Sequence, residues 1–217
     1  MFTGCNNSSQ DTPSVQPRVR AAFRSSGTDT VQARVFVEGP DGNAVSGAVV
    51  TVRDNRNILT QLDYNSSAHS YNGLLEEPSN DTVYIVEIYT ILSGDIINLT
   101  VPYSRLADAP YVTVFQDSAG NSVLNGQSLV SSRPIQIGWV DSGEGVVYQV
   151  TLRTALRTVY TVSTEARTVT IPANTVTSGS YLLEISAQKI HGDIYFRNAH
   201  YYSASFLTAP MVSCNVN

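Results

Sequence analysis

Apolar and polar residues alternate along several short segments of this chain, most clearly in its second half. Ile135, Ile137 and Trp139 lie on one face of a predicted strand, while Gln136 and Gly138 lie on the other. A period of two is typical of a β-strand with one buried face. Similar segments recur about every 8–12 residues, which is the spacing of a β-sandwich; they cover residues 111–116, 134–140, 146–153, 157–163, 168–171, 180–188 and 201–207.

The first half of the chain carries the same pattern from residue 31 onward. Apolar side chains occupy every odd position of residues 31–38, which predicts a half-buried strand. The turn Pro40-Asp41-Gly42-Asn43 follows, because proline presets φ while glycine and asparagine tolerate positive φ. Residues 45–53 are the next predicted strand. Weaker strand signals lie at residues 20–24, 58–64, 70–74, 82–92 and 95–103.

Residues 35–52, two short segments around the Pro40 turn, resemble the regulatory-domain-like module found after carboxypeptidase domains and in many exported bacterial proteins. The resemblance implies a transthyretin-like β-sandwich for the first half of the chain. It also implies a structural or binding module rather than a catalytic one.

Residues 110–210 resemble a fibronectin type III domain. Trp139 corresponds to the core tryptophan of that family, and Tyr148 corresponds to the aromatic residue of its third strand. Tyr181 corresponds to the tyrosine corner, whose hydroxyl bonds back to the preceding backbone. The resemblance therefore implies that these three side chains belong to the structural core. A long polar insert at residues 117–133 departs from the strand spacing of the family.

The two patterned blocks meet at Leu106-Ala107-Asp108-Ala109-Pro110. With 217 residues, the chain can hold two domains of about 100 residues each. The predicted fold class is therefore all-β, with two tandem immunoglobulin-like/transthyretin-like β-sandwich domains. The predicted divisions are residues 1–17 as a truncated signal remnant and flexible tether, 18–106 as the transthyretin-like sandwich, 110–210 as the fibronectin type III-like sandwich and 211–217 as a C-terminal tail.

The composition favours an exported protein and disfavours a nucleic-acid partner. Charged residues make up 14% of the chain, against about 25% in an average protein, and Ser, Thr, Asn and Gln fill the difference. The net charge is -5, without a basic cluster of the kind that neutralises phosphates. We therefore expect no nucleic acid among the partners.

Cys5 follows Phe2-Thr3-Gly4, and this order of an apolar residue, two small residues and a cysteine resembles a bacterial lipobox. The resemblance implies that Cys5 carries lipid and anchors the protein to a membrane. Only four residues precede Cys5, so we interpret Met1 as a start within a longer signal. The polar tract that follows is typical of a tether, and Asn6 favours sorting to the outer membrane of the bacterial envelope. The alternative is a chance cysteine near the terminus.

No combination of residues in the sequence indicates catalysis or metal binding. His69, His191 and His200 stand apart from one another and lack metal-ligand spacing. The sequence contains no nucleophile elbow, phosphate loop or dinucleotide-binding motif. The turn at Asp41 lacks the further carboxylates of a calcium loop. We therefore predict no catalytic residue, no cofactor and no metal site, and we interpret His191 as a solvated loop residue.

Three tyrosines near the C-terminus, Tyr195, Tyr201 and Tyr202, form the candidate binding surface. Alternate residues of a strand face opposite sides, so these tyrosines cannot all be core residues. Exposed tyrosines are enriched in protein interfaces. The alternative is that they pack against the neighbouring domain.

The leading functional prediction is a non-catalytic, lipid-anchored envelope protein that serves binding, adhesion or scaffolding, with a protein or glycan partner. The alternative is a carbohydrate-binding accessory protein that uses exposed tyrosines of the second domain. A hydrolytic enzyme is disfavoured because the candidate residues above do not supply an acid/base pair.

Overall fold

Two β-sandwiches follow one another along the chain, and the predicted all-β fold class is confirmed. The computed structural model describes residues 16–25, 29–91, 94–140, 143–197 and 199–217. Cys5 and most of the predicted tether lie outside these ranges. Within them, no helix is long and apolar enough to span a bilayer.

The strands are β1 (Arg18–Ser25), β2 (Thr30–Glu38), β3 (Val49–Arg53), β4 (Leu59–Asn65), β5 (Ser70–Glu76), β6 (Thr82–Tyr89), β7 (Ile96–Tyr103), β8 (Tyr111–Asp117), β9 (Ile135–Val140), β10 (Val147–Arg153), β11 (Thr158–Thr164), β12 (Thr168–Ile171), β13 (Gly179–Gly192), β14 (Tyr201–Thr208) and β15 (Val212–Val216). A short 3-10 helix (Val123–Asn125) lies between β8 and β9.

The first sandwich consists of β1 to β7. One of its sheets has the order β1-β2-β5, and the other has the order β4-β3-β6-β7. β4 belongs to both sheets, since its first half pairs with β3 and its second half pairs with β5. The alternating apolar residues of each strand meet between the sheets, where Phe23 and Tyr84 stack with 4.9 Å between their ring centroids.

The second sandwich consists of β8 to β15. One sheet has the order β8-β9-β12, and the facing sheet contains β11, β10, β13 and β15. Trp139 of β9 and Tyr148 of β10 pack edge to face between the sheets, with 5.2 Å between their ring centroids. Ile137, Val150 and Ile185 are fully buried in the same core.

Both sandwiches have the same strand order. In each of them the first, second and fifth strands form one sheet, and the fourth, third, sixth and seventh strands form the other. In the second sandwich β14 and β15 share the seventh position. This order is that of a fibronectin type III-like sandwich. The transthyretin-like character of the first sandwich stays a prediction, because its strand order does not set it apart from the second.

β14 and β15 run along the same edge of β13. β14 pairs with residues 186–192 and β15 pairs with residues 179–183. Where they meet, the N–H of Ala209 donates to the carbonyl of Ile185 at 2.8 Å, and Pro210, which has no N–H, interrupts the pairing. The predicted C-terminal tail at residues 211–217 is therefore wrong. β15 completes the sheet, and its Cys214 and Val216 are buried in the core.

β14 also joins the two sandwiches. It pairs in parallel with β1 of the first sandwich, from Ala21 opposite Tyr201 to Ser25 opposite Ser205. Through this pairing 12 of the 15 described strands form one continuous sheet, and β8, β9 and β12 form the other. The segment predicted as a domain boundary links β7 to β8, and its first residue, Leu106, is buried in the core of the second sandwich. Main-chain hydrogen bonds cross from one sandwich to the other and fix their arrangement.

Candidate binding groove at the junction of the sandwiches

The candidate site lies on the long hairpin formed by β13 and β14. β13 has 14 residues, and only residues 182–188 of it pair with β10 on the other edge. The far end of the hairpin therefore extends beyond the second sandwich and lies beside the first. Gly192 ends the paired region with a φ of 79°, and a side chain at this position would overlap the carbonyl oxygen of Tyr201.

Asp193 fixes the loop that follows Gly192. Its carboxylate accepts hydrogen bonds from the backbone N–H of Tyr195 at 2.8 Å and of Arg197 at 2.9 Å. Its carbonyl accepts a third bond from the N–H of Phe196 at 3.0 Å. Aspartate commonly stabilises tight turns by such bonds to the backbone that follows it. The loop therefore has a defined shape, which leaves Ile194 and Tyr195 exposed to solvent.

Phe196 has a left-handed backbone conformation with a φ of 53°. Asp54 and Asp117 make the same pattern of bonds to their own loops. The corresponding left-handed positions there hold Asn57 and Gly120, which adopt this conformation readily. For another residue the conformation costs roughly 1–2 kcal/mol, so Phe196 must be stabilised by contacts elsewhere.

The contacts of Phe196 are with the first sandwich. Its ring lies edge-on to the ring of Phe36, with 6.3 Å between centroids, and 5.5 Å from the guanidinium carbon of Arg20. Arg20 lies at the same distance of 5.5 Å from Phe36 and forms an ion pair with Glu38. The hairpin loop is therefore docked on the outer face of β1 and β2.

A groove of about 730 Å³ lies between this loop and the outer faces of β1, β13 and β14. Exposed apolar side chains border it: Tyr195 is 71% exposed, Ile194 57% and Ile190 43%. Exposed apolar side chains grouped in one place are typical of interaction sites. We call it the junction groove, with the principal side chains Arg24, Ile190, Ile194, Tyr195, Arg197 and Phe206.

Two arginines line the junction groove, and each is stacked on an aromatic ring. The guanidinium carbon of Arg24 lies 4.6 Å from the centroid of Phe206, and that of Arg197 lies 4.8 Å from the centroid of Tyr195. Such cation–π contacts position a guanidinium and leave its N–H donors available. In the part of the chain that the structure describes, neither arginine has a carboxylate within ion-pairing distance. The groove thus combines positive charge with apolar surface.

The three tyrosines predicted as one binding surface are separated by the structure. Tyr195 is exposed, whereas Tyr201 packs half-buried against the core of the first sandwich and Tyr202 is only 7% exposed. Because successive residues of β14 point to opposite faces, Tyr202 lies on the groove side instead. Burial raises the pKa of Tyr202, although the nearby charge of Arg24 opposes this. The expectation is therefore corrected: Tyr201 and Tyr202 are packing residues, and Tyr195 is the exposed member.

The aromatic residues that the sequence assigned to the core are buried. Trp139 and Tyr181 are each 4% exposed, and Tyr148 is 1% exposed. The hydroxyl of Tyr181 donates to the carbonyl of Thr177 at 2.7 Å, which is the geometry of a tyrosine corner. Packing occupies all three side chains, and none of them reaches the junction groove.

Polar side chains form hydrogen bonds where the sandwiches meet. The backbone N–H of Leu106 donates to the hydroxyl of Ser205 at 3.1 Å, and Nε2 of His191 lies 2.9 Å from the hydroxyl of Ser104. His191 belongs to β13, so the interpretation of His191 as a solvated loop residue is wrong. These bonds join the segment after β7 to the hairpin of β13 and β14.

Two titratable groups outside the groove, Cys214 and Asp117, are buried in the second sandwich. No group of three or more His, Cys, Asp or Glu residues within the described ranges is placed to hold a metal ion. Burial raises the pKa of Cys214 to about 11, so its thiol stays protonated at neutral pH. The carboxylate of Asp117 is buried and accepts hydrogen bonds from the N–H of Ala119 at 2.9 Å and of Asn121 at 3.1 Å.

Sequence reasoning did not identify Arg24, Arg197 or Phe206 as site residues. Arg24 belongs to the weakly patterned N-terminal segment, and Phe206 was assigned only to a strand. These residues meet because β1, near the start of the chain, pairs with β14, which lies about 180 residues later in the sequence. The arginine and aromatic content of the two strands was visible in the sequence, but their pairing was not.

No protein-family model matches the chain, and no curated protein matches it. Among solved structures, the chain is similar to one titled as a cytokine receptor complex, with 11% identity and a TM-score of 0.45 over 91% of this chain and 95% of the other. It is also similar to the chicken CNTN1 FN1-FN3 domains, with 11% identity and a TM-score of 0.47 over 94% of this chain and 69% of the other. The fold is defined by the strand order of the chain itself, which is that of two tandem fibronectin type III-like β-sandwiches.

Proposed function

We propose that this chain is a non-catalytic binding or scaffolding protein of the bacterial cell envelope, with the junction groove as its binding surface. The proposal is carried by the exposed side chains of Ile194 and Tyr195, which the Asp193 loop presents beside two arginines. Tyrosine and arginine are prominent among the residues that dominate binding energy at protein interfaces. A loop that is already ordered loses little conformational entropy when a partner docks.

Membrane attachment is part of the proposal. The lipobox-like order from Phe2 to Cys5, and the polar tract after it, support lipidation of Cys5 and sorting to the outer membrane. Several acyl chains on one cysteine attach a protein stably, whereas a single chain binds only marginally. The groove would then be held at the envelope surface by a short tether.

A carbohydrate-binding accessory function is the second candidate. The ring of Tyr195 is 71% exposed and offers a flat face on which a sugar ring can stack. Gln188 also lines the groove, and its amide can both donate and accept hydrogen bonds with hydroxyl groups.

Capture of partners from an envelope extract tests the proposed function. The wild-type protein should retain a partner that Tyr195→Ala loses, because the substitution removes the most exposed aromatic ring of the groove. The matched control is Tyr111→Ala, which removes a tyrosine that is 68% exposed on β8. Equal capture by the wild type and Tyr195→Ala, or equal loss in both variants, contradicts the proposal. If glycans on an array bind the wild type but not Tyr195→Ala, the carbohydrate-binding function is favoured.

A further inference from the structure

We infer that the partner presents an extended acidic peptide segment to the junction groove, where Arg24 and Arg197 bind its carboxylates and Ile190 and Ile194 contact its apolar side chains. This inference rests on the proposed binding function and adds the chemistry of the ligand. In this account four of the six principal side chains of the groove contact the peptide: Arg24, Ile190, Ile194 and Arg197.

Positive charge is concentrated on this face of an otherwise acidic chain. The net charge is -5, yet the outer faces of β1 and β2 present Arg24 and Arg34, both exposed. Arg34 lies opposite Ala22, which in turn lies opposite Tyr202 at the groove wall. A third guanidinium, that of Arg34, is therefore aligned with Tyr202 across the sheet. Asp193 lines the groove, but its carboxylate accepts hydrogen bonds from the backbone of its own loop.

The two stacked arginines are suited to carboxylates. A guanidinium binds a carboxylate through two parallel N–H···O bonds, and both are stronger than bonds between neutral groups. Stacking on Phe206 already restricts the guanidinium of Arg24, and stacking on Tyr195 restricts that of Arg197. Each guanidinium therefore loses less conformational entropy when it binds a carboxylate. A basic ligand would add to the positive charge of the groove, whereas an acidic one neutralises it.

Aliphatic surface favours a peptide over an acidic sugar. Ile190 and Ile194 are 43% and 57% exposed beside the arginines, and their branched side chains offer apolar contact without hydrogen-bonding groups. A sugar needs several polar side chains for its hydroxyls, and the neutral ones that line the groove in the described part of the chain are Gln188, Tyr195 and the largely buried Tyr202. A peptide in which acidic and apolar residues alternate matches both kinds of surface.

Selection from a phage-displayed library of random decapeptides tests the inference. The wild-type protein should enrich peptides rich in Asp and Glu together with apolar residues, and salt should weaken their binding. Synthetic copies of the selected peptides should bind Arg24→Ala and Arg197→Ala about 10-fold more weakly or worse. The matched control is Arg157→Ala, which removes an exposed arginine at the turn between β10 and β11 and should bind as the wild type does. Circular dichroism verifies that each variant is folded.

Three results would overturn the inference: no selected peptide, selected peptides without enrichment of acidic residues, or equal binding by the wild type and both groove variants. A uronate oligosaccharide that binds the groove more tightly than the selected peptides would also overturn it, in favour of an acidic glycan. The proposed function survives each of these results if capture from the envelope extract still depends on Tyr195. It fails separately if that dependence is absent.

Discussion

Trp139 fills the centre of the second sandwich, where it lies against Tyr148 and is 4% exposed. Replacing it by alanine should lower the free energy of unfolding by about 3–5 kcal/mol because it leaves a large cavity. This is a large share of the total stability of a domain, which is about 5–15 kcal/mol. Denaturation in urea, followed by circular dichroism, measures the change.

Trp139→Phe is the matched variant for this prediction. It keeps an aromatic ring and removes an indole N–H that has no hydrogen-bond partner within the described ranges. It should therefore destabilise the protein clearly less than alanine does. If Trp139→Ala unfolded at the same urea concentration as the wild type, the assignment of Trp139 to the core would be wrong.

Asp117 should make the stability of the second sandwich depend on pH in the acid range. Burial raises the pKa of its carboxyl, but hydrogen bonds from Asn121 and Ala119 outweigh this and hold the pKa below the ordinary value of 3.8. A carboxyl with a lowered pKa in the folded state stabilises the protein above pH 3.8. This contribution is lost as the pH falls through the folded-state value.

Asp117→Asn removes the titration and keeps one acceptor oxygen. The difference in unfolding free energy between the wild type and this variant should be largest near neutral pH and should shrink in acid. A difference that is constant with pH would show that the ionised carboxylate of Asp117 is not what stabilises its loop.

The hairpin of β13 and β14 is the element that brings the site together, and Gly192 controls its end. Gly192→Ala should move the loop, because φ is 79° and the new side chain would overlap the backbone of Tyr201. Amide hydrogen exchange should then become faster in β1 and β14, whose parallel pairing depends on the hairpin. The amides of Leu183 and Ile185, in the core of the second sandwich, should stay protected.

The matched control for Gly192 is Gly47→Ala. A side chain at Gly47 would meet no atom within 4 Å, so exchange in β1 and β14 should match that of the wild type. Unchanged exchange in Gly192→Ala would mean that the hairpin end does not hold the two strands together.

At the scale of strands, the sequence predicts positions well and partners poorly. Alternation located β2, β9 and β13 because each has one face against a core. The pairing of β1 with β14 depends on contacts between opposite ends of the chain. The alternation of apolar and polar residues within a strand does not indicate which strand lies beside it. The sequence does not show that both faces of β14 are covered, so it wrongly predicts Tyr201 and Tyr202 as binding residues. The sequence shows that the loop with Tyr195 is aromatic, but it does not show that Arg24 lies beside this loop.

At the scale of the whole molecule, Cys5 should attach the protein to a membrane. Expression of the full gene in a bacterium with labelled palmitate should label the wild type and not Cys5→Ser. Cys214→Ser is the matched control, since its thiol is buried in the second core and inaccessible to the modifying enzymes. Equal labelling of the wild type and Cys5→Ser, or no label in either, would contradict lipidation.

The shared sheet places the junction groove across both sandwiches instead of within one of them. Arg24 comes from the first sandwich, while Tyr195 and Arg197 come from the second. The junction groove exists only while β1 and β14 are paired. Stability of the junction and binding by the groove should therefore be lost together.

Site-specific photo-crosslinking in intact cells tests the role of the junction groove most directly. The photoreactive residue p-benzoylphenylalanine would replace Tyr195 in one variant and Tyr111, on the distant strand β8, in the other. Irradiation should give a discrete covalent adduct from position 195 and none from position 111, because only the groove contacts the partner. No adduct from position 195, or the same adduct from both positions, would contradict the account.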